Sequence, residues 1–101
     1  MATKLKTYLN EDAIRFVLDH LDALRNIGAS PSHALVLIVI ARHVYWWTGS
    51  TTLSLKRIAS ECRFTLVQTT DLIDFLVDRG WLVMGMNDEG QVAYAIAGYP
   101  G

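Results

Sequence analysis

The chain has 101 residues, enough for one hydrophobic core and too few for two, so we predict a single domain over residues 1–101. Hydrophobic residues make up 51% of the chain and charged residues 19%, which excludes a mainly disordered protein. The net charge of −1 disfavours strong non-specific binding to nucleic acid, and the single cysteine excludes an intramolecular disulfide.

Two segments bear on where the protein acts. Lys4 and Lys6 are followed by polar residues instead of an apolar segment, so no signal peptide is predicted. The apolar run over 34–41 is far shorter than the roughly 20 residues that span a bilayer. With a lone cysteine, which suits a reducing compartment, these features predict a cytoplasmic protein that is not in the membrane.

The first predicted helix begins after Asn10, whose side chain suits an N-cap. Glu11 and Asp12 lie in its first turn, where negative charge is favourable, and Gly28 ends it. Hydrophobic residues recur along it at helical spacing, which predicts a single amphipathic helix. They are Ile14, Val17, Leu18, Leu21 and Leu24.

A second helix is predicted over 31–48, because Ser30 and Pro31 form a typical helix start and Gly49 closes the segment. The run over 35–40 is rich in β-branched residues, so a buried strand is the alternative. Since this run is apolar on every side, the other helices or a second copy of the chain must cover it. We therefore predict that the helical pair over 1–49 forms the core and joins two copies into a homodimer.

Residues 50–97 predict a helix-turn-helix followed by a β-hairpin wing. Ser54 and Thr65 are suited to cap two helices, and Gly80 suits the end of the second. The predicted elements are a short strand over 51–53, helices over 55–62 and 65–79, and strands over 81–86 and 91–96 joined by a turn at 87–90. In the last strand, Val92, Tyr94 and Ile96 share one face. The predicted fold class is mainly α with a small β-hairpin, a winged helix-turn-helix preceded by two helices.

From Ser30 onward the sequence resembles the winged-helix regulators of the MarR type, named for multiple antibiotic resistance. The segment SPSHALVLIVIARH (30–43) is similar to that family's second helix, and LSLKRIASECRFT (53–65) to the first helix and turn of its helix-turn-helix. The segment TLVQTTDLIDFLVDRGWLV (65–83) is similar to its recognition helix and first wing strand. The resemblance implies a transcriptional regulator that binds duplex DNA.

The resemblance also implies which residues meet DNA. The recognition helix of such proteins enters the major groove by its N-terminal half, while the preceding helix rests on the backbone. Contacts to base edges are then expected from Thr65, Gln68, Thr69 and Thr70, and contacts to phosphates from Lys56, Arg57 and Arg63.

A protein-interaction module that does not bind DNA is the alternative. Asp71 stands where the family usually has arginine, Asp74 and Asp78 follow it, and the wing tip over 87–90 carries two acids. Negative charge at these places repels phosphates. Hydrophobic residues in the recognition helix would supply the contact with a protein partner. That alternative surface consists of Asp71, Phe75 and Val77.

Other functions find less support in the sequence. In MarR-type proteins a ligand pocket lies beside the winged helix, so the resemblance allows Tyr45, Trp46 and Trp47 to line one, although core packing or dimer contact is the commoner role. Cys62 suits packing better than redox sensing. The histidines lack metal-ligand spacing and there is no phosphate loop or nucleophile elbow, so we predict no metal, no cofactor and no enzyme activity.

Overall fold

A computed structural model describes residues 10–45 and 49–99. Its helices are α1 (Glu11–Asp19), α2 (Leu21–Asn26), α3 (Pro31–Arg42), α4 (Leu55–Cys62) and α5 (Leu66–Asp78), followed by the strands β1 (Leu82–Met86) and β2 (Val92–Ile96). The two strands pair antiparallel as a hairpin. The predicted fold class, mainly α with a small hairpin behind a helix-turn-helix, is confirmed. Among the described helices, none is long and apolar enough to cross a membrane.

The first predicted helix is divided in two at His20. His20 has φ −109° and ψ 15°, outside the helical region, and its ring Nδ1 lies 2.7 Å from the carbonyl oxygen of Phe16. In a continuous helix that carbonyl would accept from the backbone N–H of residue 20. Here the imidazole ring of His20 contacts the carbonyl in place of that N–H. The ring also meets Trp81 edge-on, with centroids 5.9 Å apart. The prediction of one helix up to Gly28 was therefore wrong.

Helix α3 crosses the core and ends at Arg42, six residues before its predicted end. The chain turns because Val44 enters the core, where it is 1% exposed, and because its carbonyl accepts a hydrogen bond of 3.2 Å from the side chain of Asn10. Gly49 (φ 74°), the predicted end of this helix, lies beyond its observed end and donates its backbone N–H to the Tyr45 carbonyl. The predicted roles of Trp46 and Trp47 lie outside the described residues.

The apolar run in α3 is covered mainly by the same chain. Helices α1, α4 and α5 and strand β2 all pack on α3. Within the run over 35–40, only Leu35 is exposed and Ile38 is half-buried, while the other four residues are buried. Of the two covers predicted for this run, the other elements of the same chain supply the cover of those four residues, and only the edge at Leu35 is left open.

The helix-turn-helix follows its predicted bounds. The hydroxyl of Ser54 accepts from the backbone N–H of Arg57 (3.1 Å) and starts α4, and Thr65 starts α5. Between the helices Arg63 adopts a left-handed conformation with φ 65°, which lets the chain reverse within two residues. Both helices bury one stripe against the core, consisting of Ile58, Ala59, Cys62, Thr69, Ile73 and Leu76.

The wing pairs Leu82 with Ile96 at its base and Met86 with Val92 at its tip. The strand predicted over 51–53 is reduced to one bridge, in which Thr51 and Tyr94 exchange two backbone hydrogen bonds of 2.8 Å. Of the three residues predicted to share one face, Tyr94 and Ile96 are buried, whereas Val92 is exposed because the hairpin extends beyond the helices that cover its base.

Candidate nucleic-acid interface

The three basic residues predicted to hold phosphates lie along α4 and the turn after it. Lys56 and Arg57 occupy the first turn of α4, and Arg63 follows its last residue. All three are exposed. Lys56 is at the start of α4 and Arg63 is roughly 10 Å of helix further on, in the turn that leads into α5. We call these three residues the basic ridge.

Glu61 partly neutralises this ridge. Its carboxylate accepts from Arg57 Nε at 2.7 Å and from His43 Nε2 at 3.1 Å. Partial burial pushes the pKa of Glu61 upward, but the hydrogen bonds and charges of His43 and Arg57 together hold that pKa below its ordinary value. Glu61 is therefore ionised at neutral pH. Within residues 10–45 and 49–99, Lys56 and Arg63 form no ion pair, so they are the open charges of the ridge.

The first turn of α5 is held by a reciprocal pair of hydrogen bonds. The Thr65 hydroxyl accepts from the Gln68 backbone N–H (3.0 Å), and Gln68 Oε1 accepts from the Thr65 backbone N–H (3.3 Å). This capping box fixes the exposed Gln68 side chain against its own helix. Its amide nitrogen is the part left to donate to a base edge. The Thr70 hydroxyl donates to the carbonyl of Leu66 (2.8 Å) and is also exposed.

Thr69 cannot contact DNA in this structure, which corrects its predicted role. The residue is 0% exposed, and its hydroxyl donates to the Thr65 carbonyl at 2.8 Å. It belongs to the buried stripe of α5 together with Ile73 and Leu76. Their spacing of four and three residues is helical, so the sequence did contain a signal for this burial.

Sequence reasoning missed two hydrophobic residues at the start of α5. Leu66 is 49% exposed and Val67 is 73% exposed. They are the first two residues of the helix, ahead of its buried stripe, so the helix places them in solvent beside Gln68. The exposed surface at the start of α5 is therefore apolar and neutral, and the open positive charges are those of Lys56 on α4 and Arg63 in the turn between the helices.

Acidic residues occupy other parts of the same motif. Asp71, Asp74 and Asp78 are exposed on α5, and Asp88 and Glu89 are exposed at the wing tip. Burial, and then the charge of Asp74, raises the pKa of the Tyr94 hydroxyl on β2. The three aspartates of α5 recur at spacings of three and four residues, so they form an acidic stripe along the helix.

Phe75 and Val77 do not form an open apolar face, which corrects the surface predicted for a protein partner. Both are half-buried and pack against the core. The ring of Phe75 contacts the ring of His33, with centroids 4.3 Å apart, and the guanidinium of Arg79 lies 4.6 Å from its centroid. Of the predicted surface, only Asp71 is fully exposed.

Two further hydrophobic surfaces are open. One is a groove of about 390 Å³ between α2 and α3, edged by Leu21 and Leu35. The other is on the hairpin, where Met86 at the tip is 70% exposed. Met84 and Val92 lie on the same face of the hairpin as Met86, whereas Val83 is exposed on the opposite face.

Cys62 has the properties of a structural residue. It is 3% exposed, and burial followed by the charge of Glu61 raises the pKa of its thiol to about 11. A thiol that stays protonated and buried is a poor redox sensor. Among the described residues, no group of three or more His, Cys, Asp or Glu side chains is placed to hold a metal ion.

No protein-family model matches the chain, and no curated protein sequence matches it. Among solved structures, the chain is similar to the ferric uptake regulator Fur of Helicobacter pylori, a protein with three functional metal-binding sites. The TM-score is 0.61 with 17% sequence identity, over 87% of this chain and 60% of that protein. The chain thus spans less than two thirds of the length of Fur. At this identity the likeness concerns the fold, and it confirms the winged helix without selecting the MarR type.

Proposed function

We propose that this chain is a transcriptional regulator that binds duplex DNA and has no enzyme activity of its own. The observation that carries the proposal is the open helix-turn-helix, in which Lys56 on α4 and Arg63 in the turn before α5 are exposed and unpaired among the described residues. Each lies next to a helix N-terminus, Lys56 at that of α4 and Arg63 at that of α5, and a cation beside a helix N-terminus attracts phosphates. The likeness to a regulator supports the same class of function, and a MarR-type regulator acting in the cytoplasm is the narrower form of the proposal.

Binding to random duplex DNA over a salt series tests this proposal. If Lys56, Arg57 and Arg63 each neutralise a phosphate, the logarithm of the association constant should fall against the logarithm of salt with a slope of roughly −2 to −3 per protomer. Fluorescence anisotropy with a labelled duplex measures the slope. At about 20 mM salt, charges are only weakly screened, so an absence of binding under that condition would contradict the proposal.

The proposal includes a homodimer that reads two half-sites. Its interface is the groove between α2 and α3, where Leu21 and Leu35 are each 38% exposed. Apolar surface of this kind suits the same surface on a second copy, which would place two recognition helices for a palindromic site.

Leu35→Glu is expected to convert the dimer to a monomer, because the substitution would bury an unpaired carboxylate in the interface. Analytical ultracentrifugation should show about half the wild-type mass. Val92→Glu is the matched control, since Val92 is exposed on the hairpin away from the groove. A wild-type chain that sediments as a monomer would refute the dimer and leave DNA binding to be judged on its own.

The hairpin supports a second candidate function, the binding of a protein partner. Met86 is 70% exposed and lies next to the acidic turn that contains Asp88 and Glu89. An apolar surface bordered by acids suits a basic protein better than a phosphate backbone. This surface replaces the predicted one at Phe75 and Val77, which is half-buried. A chain that binds no duplex at low salt would favour this function.

A further inference from the structure

The polar side chains at the start of α5 have few groups left for bases. The hydroxyl of Thr70 donates to Leu66, and Gln68 Oε1 and the Thr65 hydroxyl are joined in the capping box. Thr69 is buried. Bidentate recognition of adenine by glutamine needs both the oxygen and the nitrogen of its amide. Gln68 cannot make that contact while its oxygen holds the helix start.

Hydrophobic side chains occupy the exposed surface that remains. Val67 is the most exposed large hydrophobic residue among those described, at 73%, and Leu66 is 49% exposed. On the major-groove edge of DNA, the thymine C5-methyl is the apolar group that distinguishes one base pair from another. A branched aliphatic side chain can pack on that methyl and has no donor or acceptor for any other base edge.

The open cations agree with DNA as the occupant of this surface. Arg63 lies in the turn that leads into the apolar start of α5, and Lys56 lies at the start of α4, so the two can meet phosphates beside a major groove that receives α5. Asp71 is exposed and lies four residues after Val67, on the same face of α5. A carboxylate accepts from the exocyclic amines of adenine and cytosine and repels the acceptors O6 and N7 of guanine, so Asp71 disfavours guanine but does not itself select thymine, whose O4 is also an acceptor. The preference for thymine rests on the methyl contact alone.

We propose that Leu66 and Val67 determine sequence preference by packing on thymine methyl groups in the major groove. This inference rests on the proposed DNA-binding function and specifies its ligand as duplex DNA with thymine at the positions facing the start of α5. Lys56 and Arg63 then supply affinity that does not depend on sequence.

The test uses two random duplex pools of the same sequences, one prepared with thymidine and the other with deoxyuridine, which differ only in the C5-methyl. The wild-type chain should bind the uridine pool roughly three- to fivefold more weakly for each methyl contacted. Val67→Ala should bind the thymidine pool more weakly and lose most of the difference between pools. Alanine suits a helix, so this exposed substitution should not unfold the chain.

Met86→Ala is the matched control, because it removes an equally exposed hydrophobic side chain from the wing. This variant should retain the wild-type ratio between the pools. Equal binding of the wild type to both pools would overturn the methyl contact while leaving DNA binding intact. A wild type that binds neither pool would overturn the proposed function and this inference together.

Discussion

Asn10→Ala is expected to lower the free energy of unfolding by roughly 2–4 kcal/mol, because one side chain joins three parts of the fold. Asn10 is 7% exposed. Its Oδ1 accepts from the backbone N–H of Ala13 at 2.9 Å and from the Tyr99 hydroxyl at 3.3 Å, and its Nδ2 donates to the Val44 carbonyl at 3.2 Å. Alanine removes all three hydrogen bonds, so the backbone N–H of Ala13, the Tyr99 hydroxyl and the Val44 carbonyl each lose this partner.

Ser54→Ala provides the comparison, because Ser54 caps α4 with a single hydrogen bond in an exposed position. It should cost only about 1 kcal/mol. Thermal unfolding followed by circular dichroism measures both variants, and Asn10→Ala should lower the midpoint by roughly 10–20 °C in a domain of this size. Equal losses in the two variants would mean that Asn10 acts as an N-cap and no more.

The elements that could be predicted from sequence are those whose ends are set by neighbouring residues. Ser54 and Thr65 cap α4 and α5 through contacts three residues away, so these bounds agreed with the structure. The ends that were wrong depend on distant contacts. Helix α1 stops where His20 meets Trp81, and α3 stops where Asn10 holds Val44. No local pattern contains that information.

The same distinction applies to the candidate site. The exposure of Lys56 and Arg63 followed from polarity and position alone. The pair of Arg57 with Glu61 is also a local pattern, since the two residues are four positions apart on α4. The contact of Glu61 with His43 is not local, because it joins residues eighteen positions apart. Phe75 was taken for an exposed residue because its cover comes from His33, more than forty positions away along the chain. Sequence therefore identified the motif but not which of its side chains are open.

The strongest test of the basic ridge is the double substitution Lys56→Ala with Arg63→Gly, which removes its two open charges and which we expect to weaken binding to random duplex DNA roughly 10- to 100-fold. If each of these cations neutralises one phosphate, the salt slope should also become shallower by about 1.8. Glycine is chosen for Arg63 because this residue has φ 65°. Glycine adopts that conformation without strain, so this substitution should not lower stability.

Arg15→Glu is the matched control, because it lowers the net charge by the same two units at an exposed position on α1, outside the groove between α2 and α3. If DNA meets the helix-turn-helix, the control should change the affinity less than about threefold, since screening limits the influence of distant charges. Equal losses in the two variants would show that binding follows net charge, and the ridge would then have no special role. A selective loss would assign the phosphate contacts to α4 and the turn after it, because both variants have the same net charge and differ only in where that charge was removed.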